Sequence, residues 1–222
     1  DPELELRLQN IIHVSRSFEY VRPVIPGDVL RVILTINKLQ IRGEAEFITL
    51  NGVVTAADDS LVATFISVVL HRRYTVSSPN SVTQPARSAR TELANPKLPS
   101  KTIALTRELL SRYAVVSGDS NPIHLDDTAA RALGLSGVLA HGMWTMGAAA
   151  KVVLDWLGGD VPRLKSYRTR FAAPLYVPVS GVNVEVNAEV SGNSADTTTV
   201  SLEVSCGGVK ILNGTQIEVH NV

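Results

Sequence analysis

The sequence predicts an α+β fold in which an antiparallel sheet wraps around one central helix, and two observations lead to this fold class. A series of strand-like segments and turns occurs twice, once on each side of a Pro- and Ser-rich stretch. In the second series, a strongly helical segment begins near Gly142 and stops at Gly158-Gly159. These features indicate two related halves, of which the second carries the helix.

The first half shows the pattern of a strand, a Pro-containing crook and three further strands. Two breaks, at Arg42-Gly43 and at Asp58-Asp59-Ser60, are suited to hairpin turns. Only ten residues precede the first strand, too few for a helix and another strand. We therefore expect this half to be degenerate or incomplete. The segments are strand 11–20, crook 21–27, and strands 28–39, 44–56 and 61–72.

The second half repeats the pattern after its helix. Ser191-Gly192-Asn193-Ser194 and Gly207-Gly208 separate its last strands. The two halves share the positions of their turns and the alternation of their strands, but not their residue identities. We therefore infer a weak internal duplication. The segments are strand 164–173, crook 174–181, and strands 182–190, 197–205 and 209–219.

Residues 75–102 lack any sustained helical or strand period and are rich in Ser, Thr and Pro, so they are predicted to be a linker. This divides the chain into a first half at 1–74 and a second half at 103–222.

Composition excludes several classes of protein. Hydrophobic residues make up 45% and charged residues 19% of the 222 residues, which is typical of a globular protein with a sizeable core. Twenty-one basic residues balance twenty-one acidic ones, so a nucleic-acid partner is not expected. The longest apolar stretch, 143–157, is too short to span a membrane. Cys206 is the single cysteine, which favours a reducing compartment and hence the cytoplasm.

The chemically informative segment is YAVVSGDSNPIH, residues 113–124. Gly118 permits a tight turn beside Asp119, and the bond between Asn121 and Pro122 disfavours helix. Asp119 can accept hydrogen bonds, while His124 can take or give a proton near neutral pH. The two side chains could hold one water molecule between them.

A second segment, GVLAHGM at 137–143, leads into the predicted helix. Gly142 falls in the first turn, where a backbone N–H has no partner within the helix and the helix dipole is positive. Such a donor can stabilise negative charge that develops on an oxygen.

Together the two segments resemble the signature of the MaoC-like, or hydratase 2, family. Its double hot-dog members join a first half without the motif to a catalytic second half, as in actinobacterial (R)-3-hydroxyacyl-thioester dehydratases. The resemblance implies reversible hydration of trans-2-enoyl thioesters carried on coenzyme A or acyl carrier protein. It implies no metal, nicotinamide or flavin, and it leaves a homodimer or a partner subunit open.

The resemblance also implies roles for individual residues. Asp119 and His124 would be the catalytic pair, Asn121 would position the site, and the Gly142 N–H would contact the thioester oxygen. Which member of the pair moves the carbon-bound proton stays open. Two other functions remain as alternatives: a non-catalytic acyl-binding or partner subunit, and a hot-dog thioesterase.

The remaining histidines receive structural interpretations. His141 precedes the helix and is interpreted as a capping or packing residue. His13, His71 and His220 lie in strand-like segments without metal-ligand spacing, and we expect them to be surface or hydrogen-bonded packing residues.

Overall fold

The computed structural model describes residues 11–43, 45–72 and 96–221. Within these residues nine antiparallel strands form one sheet, and three α-helices follow the fifth strand. The helices are α1 (Arg107–Ser117), α2 (Asp127–Ala132) and α3 (Gly142–Trp156). The strands are β1 (Ile11–Tyr20), β2 (Leu30–Arg42), β3 (Ala45–Ala56), β4 (Leu61–Arg72), β5 (Lys101–Leu105), β6 (Leu164–Phe171), β7 (Val182–Asn193), β8 (Thr197–Cys206) and β9 (Val209–His220).

Most strand boundaries agree with the sequence expectation to within three residues, and two of the differences have identifiable reasons. The second strand begins two residues later than predicted, because Asp28 instead closes the preceding crook. Its carboxylate accepts the Ile25 N–H at 3.0 Å and pairs with Arg22 at 2.8 Å. The other difference is β5, which starts at Lys101 inside the predicted linker and pairs with β7 at the sheet edge. Linker residues 75–95 lie outside the described residues.

The strand order explains how the two parts of the chain meet. It runs β2-β3-β4-β1-β6-β9-β8-β7-β5. Counted outward from the centre, β1, β4, β3 and β2 follow the same sequence of connections as β6, β9, β8 and β7. The central pair, β1 and β6, is antiparallel, with Ser17 opposite Arg168. This pairing brings the first strand of the chain beside the strand that follows α3.

The main core lies between α3 and strands β6 to β9. Ala149 and Ala150 are buried on the helix, and their small side chains permit close approach of the sheet. Tyr167 anchors β6 to the helix, since its hydroxyl donates to the Met146 carbonyl at 2.9 Å. Burial of each apolar side chain such as Val200 stabilises the fold by about 1.5–3 kcal/mol.

The part of the chain described before β5 contains no helix equivalent to α3. A smaller cluster there contains Phe65 and Val62. The edge strand β2 leaves a row of apolar side chains exposed on the face that carries Phe65. This row consists of Val32, Leu34, Ile36, Leu39 and Ile41. None of the described helices is long and apolar enough to cross a membrane.

Candidate active site

The end of α1 determines where the first site residue is placed. The helix is capped at its start by Thr106, whose side chain accepts the Leu109 N–H at 3.2 Å. It ends at Gly118, which has a φ of 72° in the left-handed region, as the predicted tight turn requires. The chain therefore turns sharply at the end of the helix, and Asp119 follows directly with its side chain 47% exposed.

The following loop is stabilised by its own polar side chains. Asp119 Oδ1 accepts the Asn121 N–H at 3.3 Å, and Asn121 Oδ1 accepts the Ile123 N–H at 3.3 Å. Pro122 then starts a single 3-10 turn that ends at His124. The proline fits because a first-turn N–H would have no helical partner. This turn carries His124 into the interior, where it is 8% exposed.

The backbone contact of His124 fixes its tautomer. Nδ1 lies 2.7 Å from the Leu139 carbonyl oxygen, which can only accept, so Nδ1 carries the proton and donates it. In the neutral ring Nε2 is then an acceptor. It lies 4.0 Å from Oδ2 of Asp119. That distance is too long for a direct hydrogen bond and leaves room for a bridging water.

The surroundings of His124 keep the ring neutral. Burial is the main cause that lowers the pKa of His124, to about 4, because the charged form loses its hydration. The nearby rings of His141 and His13 lower it further, whereas the Leu139 carbonyl and the Asp119 carboxylate oppose the change. At neutral pH the imidazole is consequently an uncharged proton acceptor.

His141 packs directly against this pair. It occupies the N-cap position of α3 but makes no side-chain capping bond, so the packing interpretation holds and the capping one does not. Its Nε2–H donates to the Asp119 carbonyl at 3.0 Å. The ring stacks on His124 with centroids 4.0 Å apart, and Tyr113 contacts it edge-on at 4.9 Å.

Gly142 is the first residue of α3, where the sequence placed it. A Cβ atom here would lie 2.9 Å from Cε1 of Phe171, so the ring of Phe171 covers this position and only glycine fits without movement. The first-turn N–H of Gly142 has no helical acceptor. Gly142 lines the same cavity as Asp119 and His124, and this cavity has a volume of about 1160 Å³.

The structure therefore brings together all four residues that the sequence singled out. Asp119, Asn121, His124 and Gly142 line this one cavity.

His13 also lines the cavity, a placement that the sequence interpretation of it as a surface or packing residue did not anticipate. A register shift in β1 lies between His13 and Ser15, and such bulges often re-aim side chains next to active sites. The His13 ring lies 6.0 Å from that of Phe171. No local motif marks this histidine; only the pairing of β1 with β6 brings it to the site.

The other two histidines differ from each other. His71 is buried and its Nδ1 lies 2.9 Å from Glu46, as expected of a hydrogen-bonded packing residue. His220 is exposed at the end of β9.

One group of side chains could in principle ligate a metal ion. Asp119, His124 and His141 each offer one ligand atom, and these atoms lie within 4.8 Å of one another. One nitrogen of each ring already donates to a backbone carbonyl. Each histidine therefore has a single nitrogen left for a ligand.

These features define a hot-dog protein in which Asp119 and His124 line a cavity at the start of the central helix. Residues 89–208, more than half of the chain, match the family described as "MaoC like domain", and residues 1–65 match "FAS1-like, dehydratase domain region". The chain belongs to the MaoC-like family.

Curated relatives occur in Mycobacterium tuberculosis. The chain is 29% identical to 3-hydroxyacyl-thioester dehydratase X over 171 residues, which cover 76% of this chain and 57% of that protein. It is 26% identical to enoyl-CoA hydratase ChsH3 over 181 residues, covering 79% and 60% respectively. The chain thus spans less than two thirds of the length of these relatives.

Solved structures share the fold. A MaoC-like dehydratase superposes with a TM-score of 0.82 at 24% identity, covering 96% of this chain and 76% of that one. A conserved hypothetical protein of Mycobacterium tuberculosis, described as having a double hot-dog fold, gives a TM-score of 0.65 at 14% identity with the same coverage. The predicted double hot-dog fold is confirmed.

Proposed function

We propose that this protein catalyses the reversible hydration of trans-2-enoyl thioesters to (R)-3-hydroxyacyl thioesters in fatty-acid metabolism. One observation carries the proposal: the Asp119 carboxylate and the unprotonated Nε2 of His124 face each other across 4.0 Å. Family membership supports it, and so do the names of the relatives, a thioester dehydratase and an enoyl-CoA hydratase.

The geometry suits the addition of water across a conjugated double bond. A water between Asp119 and His124 would attack C3 of the enoyl group while the pair removes one of its protons. His124 is suited to that removal because Nε2 carries no proton. As the water adds, negative charge develops on the thioester oxygen, where the Gly142 N–H and the helix dipole stabilise it. The pair then delivers a proton to C2, so that H and OH add across the bond and the pair returns to its starting protonation state.

The substrate would be an acyl thioester of coenzyme A or acyl carrier protein. Apolar side chains line much of the cavity beside the polar pair, as an acyl chain requires. They include Ile11, Leu70, Leu175 and Ile211.

The direct test uses purified protein and trans-2-enoyl-CoA of several chain lengths. Loss of the conjugated thioester absorbance, with appearance of the 3-hydroxyacyl product, is expected. Release of free thiol without hydration would instead indicate a thioesterase. No turnover at any chain length, from protein with a cooperative unfolding transition, would reject the enzymatic proposal.

A second candidate function is that of an acyl-binding or partner subunit. The exposed apolar row on β2 favours it, because such rows are often covered by another chain. A homodimer and a hetero-complex would both cover this row. Acyl-CoA binding without turnover, in a protein whose mass by light scattering exceeds that of the monomer, would support this candidate over the first.

We also propose the division into halves at 1–74 and 103–222, supported by the repeated strand order. A cytoplasmic location is likewise proposed, from the single cysteine and the thioester chemistry.

A further inference from the structure

His141 contacts Asp119 and His124 and directly precedes Gly142, but it does not line the cavity. It is 1% exposed, and its Nε2–H donates to the backbone carbonyl of Asp119 at 3.0 Å. That carbonyl belongs to the residue whose carboxylate faces His124. The hydrogen bond therefore holds the loop at Asp119, just after the chain leaves α1.

The same ring determines what lies beside His124. The two imidazoles stack with centroids 4.0 Å apart and planes 27° apart. His141 also directly precedes Gly142, so its backbone is continuous with the first turn of α3. One residue thus connects the Asp119 loop and the His124 ring, through its side chain, with the start of the helix, through its backbone.

The second nitrogen of His141 shows that packing alone does not account for this residue. Because Nε2 carries the proton, Nδ1 is an acceptor, and it is buried with no hydrogen-bond partner in the described part of the chain. Leaving a buried acceptor unpaired costs about 1–3 kcal/mol. An apolar ring of similar shape would fill the space without this cost, but it could not donate to Asp119.

We propose that His141 is a positioning residue of the hydration site, which sets the separation and orientation of Asp119 and His124 through its hydrogen bond and its stacked ring. This inference rests on the proposed hydratase function and extends it to a residue that does not touch substrate.

Electrostatics give the proposal a second measurable consequence. The groups facing His124 are Asp119, which raises its pKa, and His141 and His13, which lower it, in addition to burial and the Leu139 carbonyl. Removing the imidazole of His141 takes away one lowering contribution. The pKa of His124 should then rise towards its ordinary value, and activity should be lost at a higher pH than in the parent protein.

Two substitutions separate the hydrogen bond from the stack. His141→Phe keeps an aromatic ring and removes the donor, whereas His141→Gln keeps an N–H donor and removes the ring. We expect His141→Phe to lower kcat by about 10²-fold with little change in KM, as for a small displacement of a catalytic group. His141→Gln should retain more of kcat. Both substitutions should raise the pKa of His124, which an NMR titration measures.

A matched control is His220→Gln, at an exposed histidine on the end of β9. It should change neither kcat nor the His124 titration. Parental kcat and an unchanged His124 titration in folded His141→Phe would overturn the proposal. Equal losses in His141→Phe and His141→Gln would overturn the role of the hydrogen bond.

Measurements on the parent protein keep the test independent of turnover and of how the variants fold. The His141 Nε2–H should be a slowly exchanging imidazole proton whose resonance shifts when an unreactive saturated acyl-CoA binds. Rapid exchange of this proton, or no shift on binding, would contradict the positioning role. If the parent protein hydrates no enoyl-CoA, the proposed function fails, while these NMR results still decide whether His141 orders the pair.

Discussion

Nε2 of His124 lies 4.0 Å from Oδ2 of Asp119, while the opposite ring nitrogen donates to the Leu139 carbonyl at 2.7 Å. The backbone contact fixes both the tautomer and the ring orientation. As a result, Nε2 carries a lone pair and lies on the side of the ring nearest the Asp119 carboxylate. One water within about 2.8 Å of both atoms can bridge this gap. This relationship underlies the first three predictions.

Replacing either member of the pair should remove most of the activity. Asp119→Asn and His124→Ala each lose an acceptor for the water proton, and we expect kcat to fall by about 10²–10⁴-fold. The measurement is the rate of trans-2-enoyl-CoA hydration, with His220→Gln as the control. Near-normal rates in either variant would move the chemistry to other residues.

The pH dependence should report the lowered pKa of His124. The proposed proton acceptor is the neutral form of His124, so kcat/KM should stay high down to the folded pKa of about 4 and decline below it. An unperturbed histidine would lose activity through about pH 6.5. The check is a pH profile of kcat/KM, restricted to the range in which the protein stays folded. If kcat/KM instead declines near the ordinary histidine pKa, the His124 ring is exposed to water in solution.

The same lowered pKa should make folding depend on pH. Between the unfolded value of 6.5 and the folded value of about 4, the unfolded chain binds a proton that the folded chain does not. The free energy of unfolding therefore decreases as pH falls through this window, by up to about 1.4 kcal/mol per unit. Urea unfolding across the window measures the slope, and His124→Gln should reduce it. A slope unchanged in that variant would assign the effect to other groups.

Adding a methyl group at Gly142 should disturb the site more than the fold. In Gly142→Ala the new Cβ would meet the Phe171 ring, so the ring or the helix start must shift. We expect the free energy of unfolding to fall by about 1–3 kcal/mol. The fractional loss of kcat should be larger than the fractional loss of unfolding free energy. Phe171→Leu combined with Gly142→Ala should recover stability, because the smaller side chain removes the clash. Additive losses in the double variant would show that the two positions do not interact.

His13 should affect catalysis although it comes from the first part of the chain. Its ring lines the cavity and makes no hydrogen bond within the described residues, so His13→Leu should cost little stability. We expect the ratio of kcat/KM values for short and long enoyl-CoA substrates to change, since the cavity wall changes shape and polarity. Identical ratios in His13→Leu and the parent would show that this strand does not contact the acyl chain.

The sequence predicted the strands, α3 and the four cavity residues because each leaves a local signal. Alternation and turn residues mark strands, Gly158 stops the helix, and the crowded polar run at 118–124 has few conformations available. In contrast, β5 was not predicted as a strand, and its first two residues, Lys101 and Thr102, fall in the predicted linker. Five residues that follow Pro99 and Ser100 carry too little pattern to identify an edge strand.

What the sequence determined by itself is the local chemistry: an acid, an amide and a histidine on one rigid loop, and a glycine at a helix start. The tertiary structure decided which partners surround them. His13 reaches the cavity only because β1 pairs with β6, and the role of His141 depends on a stack between residues 17 positions apart. The lowered pKa of His124 likewise follows from burial, which is a property of the packed chain and not of any segment.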